Sequence, residues 1–70
     1  MKARKSEMTA ADGRRIVVRW GTGYAPSVSE YTLDARDGKW TNTREWNVPA
    51  GLAAARRLAQ RVVADEVARG

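Results

Sequence analysis

Residues 29–46 read SEYTLDARDGKWTNTREW, and this stretch determines the predicted fold. Its two halves, 29–35 and 40–46, alternate polar and apolar side chains at the two-residue period of a half-buried β-strand. The Asp37-Gly38 pair lies between them, and Asp-Gly between two such runs is the strongest short-range signal for a hairpin with a type I′ turn. The stretch therefore predicts two antiparallel strands joined by a tight turn.

A turn centred on this pair also predicts which residues face each other across the hairpin. Leu33 is expected opposite Asn42, and Glu30 opposite Glu45. Two facing glutamates repel each other, so we expect Arg19 of the preceding strand to lie beside Glu30 and offset that repulsion.

A third strand is predicted before the hairpin, at Arg14–Trp20, where the side chains alternate again. It ends in the loop 21–26. Gly21-Thr22-Gly23 in this loop leads into a strand and not into a helix, so it lacks the context of a phosphate-binding loop. In the predicted register one sheet face carries the large apolar side chains, which are Ile16, Val18, Trp20, Tyr31, Leu33, Trp40 and Trp46.

The pattern changes to a helical one after Asn47, which is the expected N-cap, with Pro49 in the first turn. An apolar stripe at helical spacing follows, formed by Leu52, Ala55, Leu58, Ala59, Val62 and Val63. We expect this stripe to cover the apolar sheet face and Arg57 and Arg61 to point away from it. Because Glu66 would otherwise fall on the apolar side, we expect the last turn to fray or to project past the sheet.

Residues 1–12 are expected to form either a basic arm or a fourth, edge strand. A second Asp-Gly pair, Asp12-Gly13, favours the strand and sets Met8 opposite Val17. The predicted fold is one small α+β domain over 13–70. It is a three-stranded antiparallel β-meander, or a four-stranded one if 1–12 pair, with one C-terminal amphipathic helix packed on one face.

Composition excludes several classes of function. The chain has 70 residues with no Cys and no His, which removes disulfides, Cys/His zinc sites, thiol nucleophiles and the usual general base. We therefore expect a binding protein and not an enzyme, with no metal and no cofactor. No apolar stretch is long enough to span a membrane and no signal peptide is evident, so a cytoplasmic location is expected.

Thirteen Lys and Arg against eight Asp and Glu give a net charge of +5, and the excess lies at the two ends of the chain. Such a balance favours a polyanionic partner, bound mainly through phosphates. The leading expectation is a small basic accessory protein that binds DNA or RNA. Its candidate residues are Arg56, Arg57 and Arg61 with the arm residues Lys2, Arg4 and Lys5, and secondarily Arg14, Arg15 and Arg19.

The order of predicted elements over 14–68 resembles the DNA-binding domains of the AP2 and integrase N-terminal type. That resemblance implies a sheet whose face away from the helix enters the major groove of DNA. On the predicted register this face carries Arg15, Arg19, Glu30, Asp34 and Glu45. The resemblance is one of layout, and no residue is assigned a role from it.

A second expectation comes from the same open sheet face. Its mixed charges suit a selective protein partner, as in the inhibitors and adaptors that phages and mobile elements encode. The expected contact residues are Val17, Thr32, Thr41 and Thr43, with Tyr24 at the rim. Self-association into a homodimer through a sheet edge or this face is the third alternative.

Overall fold

The computed structural model describes residues 3–68, which form a four-stranded antiparallel sheet with one helix packed on it. The elements in chain order are β1 (Arg4–Thr9), β2 (Arg15–Gly21), β3 (Tyr24–Asp34), β4 (Lys39–Asn47) and α1 (Leu52–Val63). The strands lie in sequence order, so β1 and β4 are the edges. The predicted α+β meander is confirmed in its four-stranded form. Lys2 lies outside the described residues.

Small helix residues and β-branched strand residues make the core. Ile16, Val18 and Val28 project from β2 and β3 against Ala55, Ala59 and Val62 of α1, and all six are buried. The predicted helical stripe is confirmed, since its other members pack against this core. Alanines let the helix axis approach the sheet closely enough for the valine and isoleucine side chains to interdigitate.

Both ends of α1 differ from the prediction. Asn47 is not the N-cap, because it is the last residue of β4 and pairs with Ser27; Gly51 takes that position. The helix ends at Val63, before Glu66 can reach the apolar side. There the backbone N–H of Glu66 donates to the carbonyl of Arg61 at 2.8 Å, the closure of a Schellman motif.

The predicted register between β2 and β3 is wrong by three residues. Val18 faces Val28 and not Tyr31, and Ile16 faces Glu30 and not Leu33. Because side chains alternate along a strand, a shift by an odd number moves every β3 side chain to the other face. Glu30 consequently lies beneath the helix, beside the valines of the core.

The β3–β4 hairpin has a longer loop than predicted. Asp34 and Lys39 close a four-residue loop, and Gly38 at φ +70° takes the left-handed conformation within it. Leu33 therefore faces Trp40 and not Asn42. Further along, the register shifts again at Glu30/Tyr31, where β4 contains an extra residue, a β-bulge.

These shifts place two tryptophans on opposite faces, although the sequence predicted one face for both. Trp46 packs against the core under α1. Trp40 lies on the open face, where the guanidinium of Arg15 stands 4.4 Å from its ring centroid. In the β1–β2 hairpin, Met8 faces Ile16, one residue away from the predicted Val17.

Within residues 3–68 the structure shows no helix with the length and apolar character needed to cross a bilayer.

Candidate nucleic-acid interface

A buried carboxylate organises the end of the molecule opposite the β2–β3 loop. Oε2 of Glu30 accepts hydrogen bonds from Nη1 of Arg14 at 2.6 Å and from Nη2 of Arg44 at 2.8 Å. Its Oε1 accepts from Nε of Arg44 at 3.0 Å and from Oγ1 of Thr43 at 2.8 Å. The Arg44 guanidinium is the largest influence that lowers the pKa of Glu30 from 4.5 to about 2, so the carboxylate is ionised at neutral pH.

Arg14, which the sequence suggested as a phosphate contact, is mostly buried and binds groups within the protein. Its side chain is 8% exposed, and it donates to the Val62 carbonyl at 2.9 Å and to the Val63 carbonyl at 3.3 Å at the end of α1. Its Nε also binds Asp12 at 2.7 Å. The side chain thus satisfies helix-end carbonyls that lack intrahelical partners, and its guanidinium is occupied within the protein.

The open sheet face is a lattice of polar and aromatic side chains. Arg19 donates to Oγ of Ser29 at 3.1 Å and to the hydroxyl of Tyr31 at 2.9 Å. Ser29 in turn donates to Glu45 at 2.9 Å. Arg15 lies over the ring of Trp40, and its Nε is 3.6 Å from a carboxylate oxygen of Glu7. This face therefore displays both signs of charge, most of them already paired.

The predicted protein-contact residues do not form one surface. Val17 does point to the open face, but it is only 3% exposed because the surrounding long side chains cover it. Thr43 binds Glu30, so its side chain points to the helix side of the sheet. Thr32 lies on the same side, because its hydroxyl is 3.4 Å from that of Thr43, and Thr41 lies there because it pairs with Thr32. The exposed large apolar residues are Tyr24, which was predicted at the rim, at 49% exposure, and Leu33 and Trp40 on the open face, at 46% and 39%.

Basic side chains from three elements lie on both faces of the sheet near its β2–β3 loop end. They come from the edge strand, from the end of β2 and from the first turns of the helix. The hairpin-end cluster, as we call it, consists of Arg4, Lys5, Arg19 and Arg56 around the aromatic residues Trp20 and Tyr24.

Strand pairing explains these positions. Arg4 faces Trp20 and Lys5 faces Arg19 across β1 and β2, so one cation lies on each side of the edge strand. Arg56 reaches over from α1, with its guanidinium carbon 5.5 Å from the Trp20 ring centroid. Tyr24 completes the arrangement by donating from its hydroxyl to the carbonyl of Trp20 at 2.9 Å.

Two cavities open beside these side chains. The larger, about 460 Å³, is lined by Arg4, Trp20, Gly21 and Thr22. The smaller, about 210 Å³, lies between the start of β1 and Tyr24, with Lys5 and Arg19 among its walls. Arg4 lines both cavities, so the two are neighbours around the end of the edge strand.

The helix at the β2–β3 loop end of the molecule carries basic side chains, and neither it nor the loop carries an acidic one. Residues 16–29 and 46–64, which supply the hairpin loop, the end of β4 and the helix, contain no Asp or Glu. The nearest acid along β1 is Glu7, which lies 3.8 Å from Lys5 and also contacts Arg15. Phosphate groups would therefore meet Arg56 beside a loop and a helix without carboxylates, whereas Lys5 already has the carboxylate of Glu7 beside it.

Arg57 and Arg61 lie elsewhere. Both are exposed on the side of α1 that points away from the sheet, as predicted. The structure therefore divides the three helix arginines, since Arg56 joins the hairpin-end cluster and the other two do not. This division was not predicted from the sequence, although Arg56 borders the apolar stripe at helical spacing and so lies nearest the sheet.

No group of three or more acidic, His or Cys side chains in the described part of the chain is placed to hold a metal ion. Comparisons with protein-family models, with curated proteins and with solved structures found no match to this chain.

Proposed function

We propose that this protein binds nucleic acid, chiefly through phosphate contacts made by the hairpin-end cluster. The observation that supports the proposal is that Arg4 and Arg56 meet beside Trp20, with Lys5 and Arg19 on the other sheet face, at an end whose loop and helix carry no acid. Each cation that meets a phosphate releases counterions, and this drives association without sequence preference. The proposed role is binding and not catalysis, in the cytoplasm, where nucleic acid is available.

Aromatic residues strengthen the proposal. Trp20 and Tyr24 lie among the cations, and interleaved aromatic and basic side chains are the usual composition of surfaces that bind nucleic-acid strands. Arg57 and Arg61 would extend the contact along the helix for a ligand that continues past Arg56.

The test is a titration of labelled DNA of mixed sequence, single-stranded and duplex, at about 50 mM salt, followed by fluorescence anisotropy. The double variant Arg4→Gln/Arg56→Gln should weaken binding by about tenfold or more, because it removes two phosphate contacts. Arg36→Gln/Lys39→Gln is the matched control, since it removes the same charge from the β3–β4 loop at the far end. Absence of binding by the unaltered protein, or equal losses in both variants, would refute the proposal.

A protein partner is the second candidate function, and the exposed Leu33 and Trp40 favour it. They lie opposite each other on the open face with Arg15 stacked on the indole, an arrangement typical of interface anchors. A host-directed inhibitor of the phage or mobile-element type would use this face. A nuclease-treated pull-down that retains one stoichiometric protein, and loses it in Trp40→Ala, supports this role.

A further inference from the structure

We infer that the cavity beside Trp20 accepts one unpaired base, so that the protein prefers single-stranded nucleic acid to duplex. The inference rests on the proposed function and assigns a ligand to the larger of the two cavities. That cavity has walls of three kinds: an aromatic ring from Trp20, a guanidinium from Arg4, and the hydroxyl-bearing loop residue Thr22.

Size and chemistry fit a nucleotide. A volume of about 460 Å³ is within the range of small-ligand pockets. Once the Arg56 guanidinium, 5.5 Å from the ring centroid, moves aside to a phosphate, the Trp20 indole offers a surface on which any base can stack, independent of sequence. The Arg4 guanidinium, on the neighbouring strand directly opposite Trp20, is placed for the phosphate of the same nucleotide or for the second face of the base.

The loop is held in the position that forms this cavity. The ring of Tyr24 folds back over Gly21, and a Cβ on Gly21 would come 2.5 Å from the Tyr24 hydroxyl oxygen. Only glycine permits this approach, and the bond from Tyr24 to the Trp20 carbonyl then fixes the loop beside the indole. Thr22, in the loop between these two residues, also lines the cavity.

Pairing would prevent a base from entering. In a duplex both faces of a base are covered by its neighbours, and removing one from the stack costs a few kcal/mol. A single strand has no such cost, and its adjacent phosphates would reach Arg4 in the cavity wall and Arg56 over the indole. The cavity therefore adds a preference that phosphate contacts alone do not give.

The experiment compares the affinity of the unaltered protein for oligo-dT of about 12 nucleotides with that for a hairpin duplex of the same phosphate count. We expect the single strand to bind about tenfold more tightly, the contribution of one stacked base. Trp20→Leu, which keeps an apolar side chain against the core, should remove this difference. Trp40→Leu on the open face is the matched control and should preserve the difference.

Equal affinity of the unaltered protein for both ligands would overturn the inference while leaving the proposed function standing. No binding of either ligand would overturn both. If Trp20→Leu fails to fold, as circular dichroism would show, the ratio measured for the unaltered protein still decides the matter.

Discussion

Arg14 donates from Nη1 to Oε2 of Glu30 over 2.6 Å, joining the residue just before β2 to the middle of β3 beneath the end of the helix. The same guanidinium binds two helix-end carbonyls and Asp12 of the β1–β2 turn. Arg44 approaches the carboxylate from the other side and also reaches the Val67 carbonyl at 3.4 Å. One buried carboxylate thus fixes the positions of the sheet, the helix end and the segment that follows it.

Removing that charge should be costly. Glu30→Gln leaves Arg14 and Arg44 without their shared anion, and breaking a buried ion pair on one side costs about 3–5 kcal/mol. Urea unfolding followed by circular dichroism measures the change. Glu45→Gln, an acid-to-amide change at an exposed β4 position, is the control and should cost less than about 1 kcal/mol. Similar losses of unfolding free energy in the two variants would contradict the claim that the buried network stabilises the fold.

The buried Glu30 carboxylate also predicts that the free energy of unfolding depends on pH. Because folding lowers the pKa of Glu30 from 4.5 to about 2, its ionisation stabilises the folded state by about 3 kcal/mol above pH 5. That contribution disappears as the pH falls from 5 towards 2, since the unfolded chain then binds the proton more strongly. The gap in unfolding free energy between the unaltered protein and Glu30→Gln should therefore close in acid. A gap that stays constant from pH 7 to 2 would contradict the assignment.

The elements could be predicted from the sequence because alternation and helical spacing are local properties. Asp37-Gly38 indicated the hairpin, and the stripe from Leu52 to Val63 indicated the helix. Register could not be predicted in the same way. The alternation put the apolar Tyr31 and Leu33 on the core side, and that assignment placed Glu30 on the open face.

Two distant arginines make the burial of Glu30 possible, and no local pattern indicates that they converge. Arg14 precedes β2 and Arg44 lies on β4, 30 residues apart in sequence. The resulting error reversed the faces of β3 and misplaced Trp40. The hairpin-end cluster was missed for the same reason, because it forms only when β1 is paired beside β2 and Arg56 lies over Trp20.

Because the helix packs closely on the sheet, a larger side chain at a helix position that faces the sheet should destabilise the fold. Ala59 is fully buried against the core, so Ala59→Leu should cost about 1–3 kcal/mol through overpacking. Ala53→Leu places the same side chain on the exposed side of α1 and should change the free energy of unfolding by less than about 0.5 kcal/mol. If Ala59→Leu were neutral in urea unfolding, the described approach of helix to sheet would be wrong.

The close approach at the β2–β3 loop predicts a coupling between two residues. Gly21→Ala should displace the Tyr24 ring and break its bond to the Trp20 carbonyl, at a cost of about 1 kcal/mol. In a Tyr24→Ala background the same change meets no ring and should cost less than about 0.5 kcal/mol. Unfolding free energies of the four proteins complete the cycle, and additive effects would show that the two residues do not touch.

The central claim, that the hairpin-end cluster contacts phosphates, is tested most directly by the dependence of affinity on salt. For single-stranded DNA, each cation–phosphate pair that forms contributes about 0.7 to the slope of log K against log salt concentration. Arg4→Gln/Arg56→Gln removes two such pairs and should make the slope shallower by about 1.4, while Arg36→Gln/Lys39→Gln leaves it unchanged. A slope that is the same in the cluster variant as in the unaltered protein would contradict the claim.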